Sequence, residues 1–343
     1  MDQRTLRILE FDKIRARLAD QTSFSLGRER ALALQPTDDI REAQTWQAET
    51  REARRLLDEK SDVHLGGVHD LRPLAEQATR GSTLLPPDLL NIRSTLTRAR
   101  TIQRLLARLN EQFPQIADIA GRISVPGDLI DEIVRCIDER GEVMDSASDA
   151  LLRIRRKMRE AHARLMERLQ RIVTTSTNAQ FLQEAIVTQR QGRYVIPLRA
   201  EFKGRIPGLV HDQSGSGATL FIEPLAVVDL NNRWREAQLA EEEEVHRILA
   251  ALTGLVAADA GPIVRTVEAL GDLDLIFAKA RYANVIRGTE PELIPFKAPP
   301  QPARRPAGRK AAAAEAAAAP PGETAASEPP VIHPGSTLAF IKA

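Results

Sequence analysis

Long apolar segments, cysteines and aromatic residues are scarce in this chain of 343 residues. Its uncharged runs, such as residues 248–258, are far shorter than the roughly 20 residues that a membrane-spanning helix needs. The first residues, MDQRTLRILEFDK, lack the apolar core of a signal peptide. We therefore expect a cytoplasmic protein with no membrane partner.

The single cysteine, Cys136, excludes an internal disulfide framework and a zinc site built from cysteines. It stands between Ile133 and Ile137, a setting typical of an inert core thiol. Aromatic residues make up 4% of the chain, which argues against a platform on which single-stranded bases stack. Phosphate contact and shape remain as ways to bind nucleic acid. Lysine and arginine total 48 against 47 aspartate and glutamate, so any nucleic-acid surface must be local.

Residues 184–224 are the one stretch in which strand period replaces helical period. Apolar residues on both sides of Gln191-Gly192 predict a hairpin, because glycine supplies the positive φ that a tight turn needs. A second hairpin follows, joined by Ser214-Gly215-Ser216-Gly217. The pattern predicts a small antiparallel sheet of about four strands, at 185–187, 193–196, 205–211 and 218–222.

Two amphipathic segments flank this stretch. Apolar residues repeat at three-four spacing over 146–174 and over 225–258, which predicts two helices that are each roughly 40–50 Å long. The first is rich in lysine and arginine and the second carries the run Glu241–Glu244, so opposite charges favour antiparallel pairing with the sheet at the tip. Solvated faces without pairing are the alternative, because exposed ion pairs contribute only about 0–1 kcal/mol each.

The rest of the chain also has helical period, so the predicted fold class is mainly α. Residues 1–140 are punctuated by glycine and proline and lack strong strand runs, which is typical of a helical bundle. After Gly261-Pro262, a helical stretch broken at Gly271-Asp272 is expected to dock back on that bundle. From Ala298 onward the composition is too poor in large apolar groups to fold.

Six motifs within residues 1–297 are long enough to compare with known families. They are LEFDKIRARLAD, SLGRERALAL, GEVMDSAS at 141–148, GRYVIPLRAEFKGRIPGLVHDQSGSGATLFIEP at 192–224, LNNRWREAQLAEEEEVHRIL at 230–249 and LDLIFAKARYA at 273–283. These motifs resemble the bacterial MutS-two family, the second MutS paralogue, whose members are often called endonuclease MutS.

The resemblance implies a helical core, two lever helices and a β clamp at their tip. The implied segments are a helical core domain at 1–140, an outgoing lever helix at 141–183, a β clamp at 184–224, a returning lever helix at 225–260, helices docking back on the core at 261–297 and a low-complexity disordered tail at 298–343. It also implies that the clamps of two subunits approach nucleic acid. An ATPase domain using ATP and magnesium and a small nuclease-type domain complete the family's proteins, which are linked to suppression of recombination and to rescue of collided ribosomes.

The sequence departs from the family in two features. It contains no GxxxxGK[ST] loop, whose amides and lysine would hold ATP phosphates, and nothing in it resembles the nuclease domain. The chain ends where the ATPase domain is expected, which suggests a truncated, split or frameshifted gene product. We therefore expect no cofactor, metal site or autonomous enzyme activity in this chain, and a monomer or weak homodimer.

Basic and hydroxyl residues concentrate in the predicted clamp. The candidate nucleic-acid-binding residues are Arg190, Arg193, Arg199, Lys203, Arg205, Ser214 and Ser216. If four of the cations met duplex phosphates, log affinity would fall with log salt at a slope of roughly −3 to −4. A basic rim that only aids solubility is the alternative. Duplex or branched DNA and ribosomal RNA are both allowed as partners.

Four other groups have competing interpretations. His211, Asp212 and the two serines supply the parts of a catalytic triad, but they lie too close together on one strand end, so capping of the turn is favoured. For Asn231-Asn232, helix capping or interhelical hydrogen bonds are favoured over functional contacts. The run Glu241–Glu244 projects around a helix and cannot converge on one metal ion. A second basic patch on the first lever helix consists of Arg153, Arg155, Arg156, Lys157 and Arg159. It could contact phosphate, but pairing with the acidic second helix is favoured.

The favoured function is nucleic-acid binding by the core, lever and clamp part of a MutS-two protein, with DNA or the ribosome as partner. A coiled-coil scaffold whose sheet binds protein is the alternative from another class. A hidden hydrolase at the tip is the third hypothesis, which replacement of His211 would test.

Overall fold

The computed structural model of the protein describes residues 3–60, 63–294 and 337–339. The helices in these ranges are α1 (Gln3–Ile8), α2 (Phe11–Ala19), α3 (Ser25–Ala33), α4 (Ile40–Glu59), α5 (Arg72–Thr79), α6 (Pro86–Arg108), α7 (Pro114–Gly121), α8 (Gly127–Cys136), α9 (Asp149–Thr174), α10 (Ser176–Ala179), α11 (Val228–Ala258) and α12 (Ala260–Val285). The strands are β1 (Thr188–Arg190), β2 (Arg193–Arg199), β3 (Gly208–Gln213), β4 (Thr219–Pro224), β5 (Glu292–Ile294) and β6 (Thr337–Ala339). The mainly α fold class is confirmed. Apart from β6, which pairs with β5, the predicted disordered tail at 298–343 lies outside the described residues.

Helices α1 to α8, α12 and the C-terminal half of α11 pack into one helical body. Its core contains the fully buried rings of Phe113 and Phe277. Helix α8 shows how the sequence builds this core, because Leu129, Ile133 and Cys136 recur at helical spacing and are all buried on one face. Cys136 is thus a buried free thiol, as expected, and burial raises its pKa.

Helix α12 corrects one prediction and explains another. It runs without interruption from Ala260 to Val285, so the expected break at Gly271 is wrong. Gly271 instead permits close helix packing, since a Cβ there would lie 2.8 Å from Leu26 of α3. At the interruption expected near Gly261-Pro262, the chain bends by 67° between α11 and α12. Pro262 lies in the first turn of α12, where the helix needs no backbone N–H from it.

Helices α9 and α11, which we call the levers, are long and antiparallel. Their 26 and 31 residues correspond to lengths of about 39 and 46 Å. The antiparallel direction follows from two contacts: Arg155 of α9 meets Glu241 of α11, and His162, further along α9, lies near Trp234, which is earlier in α11. Ser148 begins α9 by accepting a hydrogen bond from the N–H of Leu151.

Strands β1 to β4 and their connections, residues 188–224, form the clamp. They make a four-stranded antiparallel sheet in the order β1-β2-β4-β3, with a bulge in β3 between Val210 and Asp212. The turn between β1 and β2 has positive φ at both Gln191 and Gly192, which suits a two-residue hairpin. The strands begin and end up to three residues away from the predicted positions.

The clamp has a hydrophobic core separate from that of the body. Ile196 of β2 and Ile222 of β4 face each other in register and pack against Leu165 and Leu169 of α9. The end of the outgoing lever therefore belongs to the clamp core. Among the residues that the structure describes, no single helix is long and apolar enough to cross a membrane; the bent pair α11–α12 meets that test only by length and composition.

Candidate nucleic-acid interface

The strand register brings three of the predicted cations to one face of the sheet. Side chains alternate along a strand, so Arg193 and Arg199 of β2 lie on the face opposite to that of Ile196. Arg190 of β1 pairs directly with Arg193 across the hairpin. The same alternation places Val195 of β2 and Glu223 of β4 on this face, and both are fully buried, so the face is not a continuous basic surface.

The end of the sheet away from α11, which we call the far end, gathers four of the predicted residues. Arg199 pairs with Thr219, and the N–H of Ala200 donates to the carbonyl of Ala218 at 3.0 Å. This brings the turn that contains Ser214 and Ser216 beside the short 3-10 turn that leads to Lys203. Arg205 follows in the loop that returns to β3.

The serine hydroxyls have local partners at this end. The Ser214 hydroxyl accepts a hydrogen bond from the N–H of Thr219 at 3.0 Å and lies 3.4 Å from the Ser216 hydroxyl. The Asp212 carboxylate likewise accepts from the N–H of Gln213. These contacts match the turn capping that the sequence favoured.

Arg193 is engaged inside the protein. Its guanidinium donates to Glu223 at 2.9 Å and to the side-chain oxygen of Asn232 in α11 at 2.7 Å. Glu223 is fully buried, and its other carboxylate oxygen lies 2.6 Å from Nε2 of His211. The guanidinium therefore balances a buried carboxylate, since an unpaired charge there would carry a large desolvation cost.

Arg190 is also partly committed. Its guanidinium lies 3.3 Å from the carboxylate of Asp212 and 4.2 Å from the centre of the Phe221 ring. By contrast, Arg199, Lys203 and Arg205 are exposed, and within the described part of the chain their side chains have no ion pair. Of the five predicted cations, these three are the ones with their charge fully available to a ligand.

Glu223 is a residue of the site that the sequence did not single out. The strand TLFIEP shows an acidic residue among apolar ones, but nothing in that pattern indicates burial. The signal was the combination of Arg193 and His211 on β2 and β3, the two strands that flank β4, and it becomes meaningful only once the register is known. His211 thus has Glu223 as its partner, and among the described residues no hydrogen bond joins its ring to a serine hydroxyl.

A polar and aromatic contact region, which we call the junction, joins the sheet to both levers. The side chain of Asn231 in α11 accepts from the N–H of Tyr194 at 3.1 Å and donates to its carbonyl at 3.0 Å. The Tyr194 hydroxyl lies 2.9 Å from Nε2 of His162 in α9, and its ring packs at 4.8 Å from Trp234. Asn231 thus bonds to the sheet, whereas the sequence favoured helix capping or hydrogen bonds between helices.

The second basic patch pairs with the acidic helix at one residue. Arg155 donates to Glu241 of α11 and to Asp145, and its hydrogen bond lowers the pKa of Asp145. Arg156 pairs with Glu160 of its own helix, and Arg159 lies 3.6 Å from Asp145. The predicted pairing between the levers therefore rests on Arg155.

The run Glu241–Glu244 diverges, as its helical spacing requires. Glu244 is hydrogen-bonded by Arg247 and by Ser148, and these contacts hold its pKa at about 2. In the described ranges, no group of three or more histidine, cysteine, aspartate or glutamate residues has an arrangement that could hold a metal ion.

The comparison with known proteins gives long alignments to one kind of protein. No family model matches the chain. It is 43% identical over 294 residues to the Endonuclease MutS2 of Geobacillus sp. (strain WCH70), 46% over 294 residues to that of Symbiobacterium thermophilum and 43% over 310 residues to that of Thermomicrobium roseum. These alignments cover 85%, 86% and 89% of the chain but 38%, 37% and 39% of the relatives. The chain therefore spans less than two-fifths of the length of the curated relatives it matches.

Proposed function

Because the chain belongs to the MutS2 family over the roughly 85% of its length that relatives match, we propose that its clamp binds nucleic acid by contacting phosphates. The observation that carries the proposal is the exposure of Arg199, Lys203 and Arg205 without ion-pair partners in the described ranges. Their neighbours Ser214 and Ser216 add hydroxyl groups at the far end of the sheet. Phosphate contacts of this kind position a ligand but carry little sequence information.

The proposal also covers the partners, the role of the levers, the location and the self-association of the chain. Duplex or branched DNA and helical ribosomal RNA are the partner classes, because both present regularly spaced phosphates. The levers set the reach of the clamp. ATP and magnesium would bind to parts of the relatives that the chain does not match. Strand cleavage and any role in recombination or ribosome rescue would also depend on those parts. We further propose a cytoplasmic location and at most weak self-association.

The test is a salt titration of binding. Fluorescence anisotropy would follow a labelled DNA duplex, a branched junction and an RNA duplex at several salt concentrations. If the three cations each meet one phosphate, the tip alone gives a slope of log affinity against log salt of about −2.7. The variant Arg199→Gln, Lys203→Gln, Arg205→Gln should lose this part of the slope.

The choice of variant matters because Arg193 holds a buried carboxylate, so that its loss would damage the sheet as well as the surface. A matched control removes the same charge from exposed arginines of the body, with Arg104→Gln, Arg108→Gln and Arg140→Gln. Binding that is independent of salt, or equally weakened by both variants, would contradict the proposal and favour the protein-binding scaffold.

A further inference from the structure

Four cations of α9 form a line that the contacts above do not use. Arg153, Lys157, Arg164 and Arg168 are separated by four, seven and four residues. At 3.6 residues per turn, these spacings place all four within an arc of about 60° on one side of the helix. We call this line the lever stripe. All four side chains are exposed, and within the described ranges none of them has a hydrogen bond or an ion pair.

The acidic residues beside the stripe are already neutralised. Glu160 lies 3.2 Å from Arg156, and Glu167 pairs with Arg171, in both cases one turn away on the same helix. Where the stripe borders α11, it meets a groove of about 380 Å³ to which Arg233 adds another exposed cation and Glu236 one carboxylate. The net charge along this side of the levers is therefore positive.

The chemistry of the stripe fits a phosphate backbone better than bases or protein. Helix α9 contains no phenylalanine, tyrosine or tryptophan, and the ring of its one histidine, His162, already packs against Tyr194 and Trp234. The stripe therefore offers no free ring on which a base could stack. Its exposed large apolar residue, Leu152, lies about 100° around the helix from Arg153. A protein partner would gain little apolar burial on the stripe itself.

The length of the stripe also suits a double helix. Fifteen residues from Arg153 to Arg168 span about 22 Å, which corresponds to about six or seven base pairs of duplex. Arg168 lies less than two turns before Thr174, the last residue of α9, and next to Leu169, which packs in the clamp core. The stripe and the far end of the clamp thus lie on one connected part of the molecule.

We propose that the lever stripe is a second nucleic-acid contact, which holds the phosphates of a double helix running along the outgoing lever. This inference rests on the nucleic-acid binding proposed above and adds a second surface to it. The stripe contributes to affinity without base selectivity, and a ligand that reaches both surfaces binds more tightly than one that reaches the clamp alone.

The experiment compares three variants of the full chain by anisotropy. The stripe variant is Arg153→Gln, Arg164→Gln, Arg168→Gln. The tip variant and the body control, each also losing three positive charges, are those given above. The probes are DNA and RNA duplexes of about 12 and about 24 base pairs; the DNA duplexes are about 40 and 80 Å long at 3.4 Å per pair. A poly-glutamate peptide tests for an acidic protein partner, and circular dichroism checks that the helices persist.

The stripe variant should lower the magnitude of the salt slope on the longer duplex by about 2.7 and should show a smaller gain in affinity from the shorter to the longer duplex than the body control does. Equal losses of affinity for DNA and RNA would assign the contact to the phosphate backbone that both share. A loss with only one of them would show which nucleic acid the stripe binds.

Three outcomes overturn the inference. If the stripe variant keeps the slope while the tip variant loses binding, the tip proposal stands and the stripe proposal fails. If the stripe variant weakens binding of poly-glutamate but not of duplex, the stripe is a surface for acidic protein. If the intact chain binds no duplex even at low salt, both proposals fail together.

Discussion

Replacing Asn231 with alanine tests whether the junction holds the sheet on the levers. The pairing of β2 with β4 ends at Ile196 and Ile222. If it continued by two more residues, Pro224 would lie opposite Tyr194, and proline has no N–H to donate. Asn231 supplies what the strand cannot, because its amide bonds to both the N–H and the carbonyl of Tyr194. Its side chain is buried, so water does not compete for these bonds in the folded state.

The expected cost follows from the two backbone groups that the variant leaves unpaired. An unsatisfied buried donor or acceptor costs about 1–3 kcal/mol, and partial entry of water into the space vacated at Asn231 reduces the sum. We expect the clamp to lose about 2–4 kcal/mol of stability. The body should lose none, because its hydrophobic core is separate.

Hydrogen exchange followed by mass spectrometry measures this difference locally. At 1.4 kcal/mol per factor of ten, peptides from β2 and β4 should exchange about 30-fold to 700-fold faster in the variant. Peptides from α6 and α12 serve as the internal reference. The chain has two tryptophans, Trp46 in the body and Trp234 at the junction, so a Trp46→Phe background gives a fluorescence signal from the junction alone.

The matched control is Asn232→Ala. Asn232 accepts one hydrogen bond from Arg193, which still has Glu223 as a partner, so the change should have a much smaller effect. If the clamp peptides of the Asn231 variant exchange at the wild-type rate, the Asn231 amide does not hold the sheet on the levers. If the body peptides accelerate to the same extent as the clamp peptides, the clamp shares its stability with the body.

Three further predictions concern packing, pH and the buried charge. Gly271→Ala should lower the free energy of unfolding in urea by about 1–2 kcal/mol, because the new Cβ would overlap Leu26 of α3. Gly254→Ala, in open space on α11, should instead raise it by about 0.5–1 kcal/mol. The pKa of Glu244 is about 2, below its usual 4.5, so its contribution to folding stability is present above pH 4.5 and is lost as the pH falls toward 2. Glu244→Gln should therefore reduce the difference in the free energy of unfolding between pH 5 and pH 3. Arg193→Ala should destabilise the clamp by about 3 kcal/mol, and adding Glu223→Ala should recover part of that loss in the same exchange assay.

The architecture was accessible from the sequence because periodicity is a local property. The two levers were recognisable from apolar residues at three-four spacing, and their caps lie close to the predicted ends. Strand bounds were less accurate. Strand β1, Thr188–Arg190, is entirely polar and follows the apolar residues that suggested a strand, because its position is set by pairing with β2.

The details of the site depend on contacts between distant residues. Gly271 resembles a helix breaker until Leu26, far away in the chain, is known to pack against it. Five cations in the clamp look alike in the sequence, yet Arg193 and Arg190 have acidic partners that only the sheet register brings to them. Residue type and spacing predicted the basic surface, but they could not say which charges the protein already neutralises.

The position of the clamp on the levers has a mechanical consequence. Leu165 and Leu169 of α9 pack in the same core as Ile196 and Ile222 of the sheet, so the end of the outgoing lever and the sheet form one unit. The lever stripe is on that same helix. A change in the angle of the levers to the body therefore leaves the spacing between the stripe and the far end of the clamp unchanged. A duplex held by both surfaces would move with the levers, whereas a duplex held by the clamp alone could pivot on it.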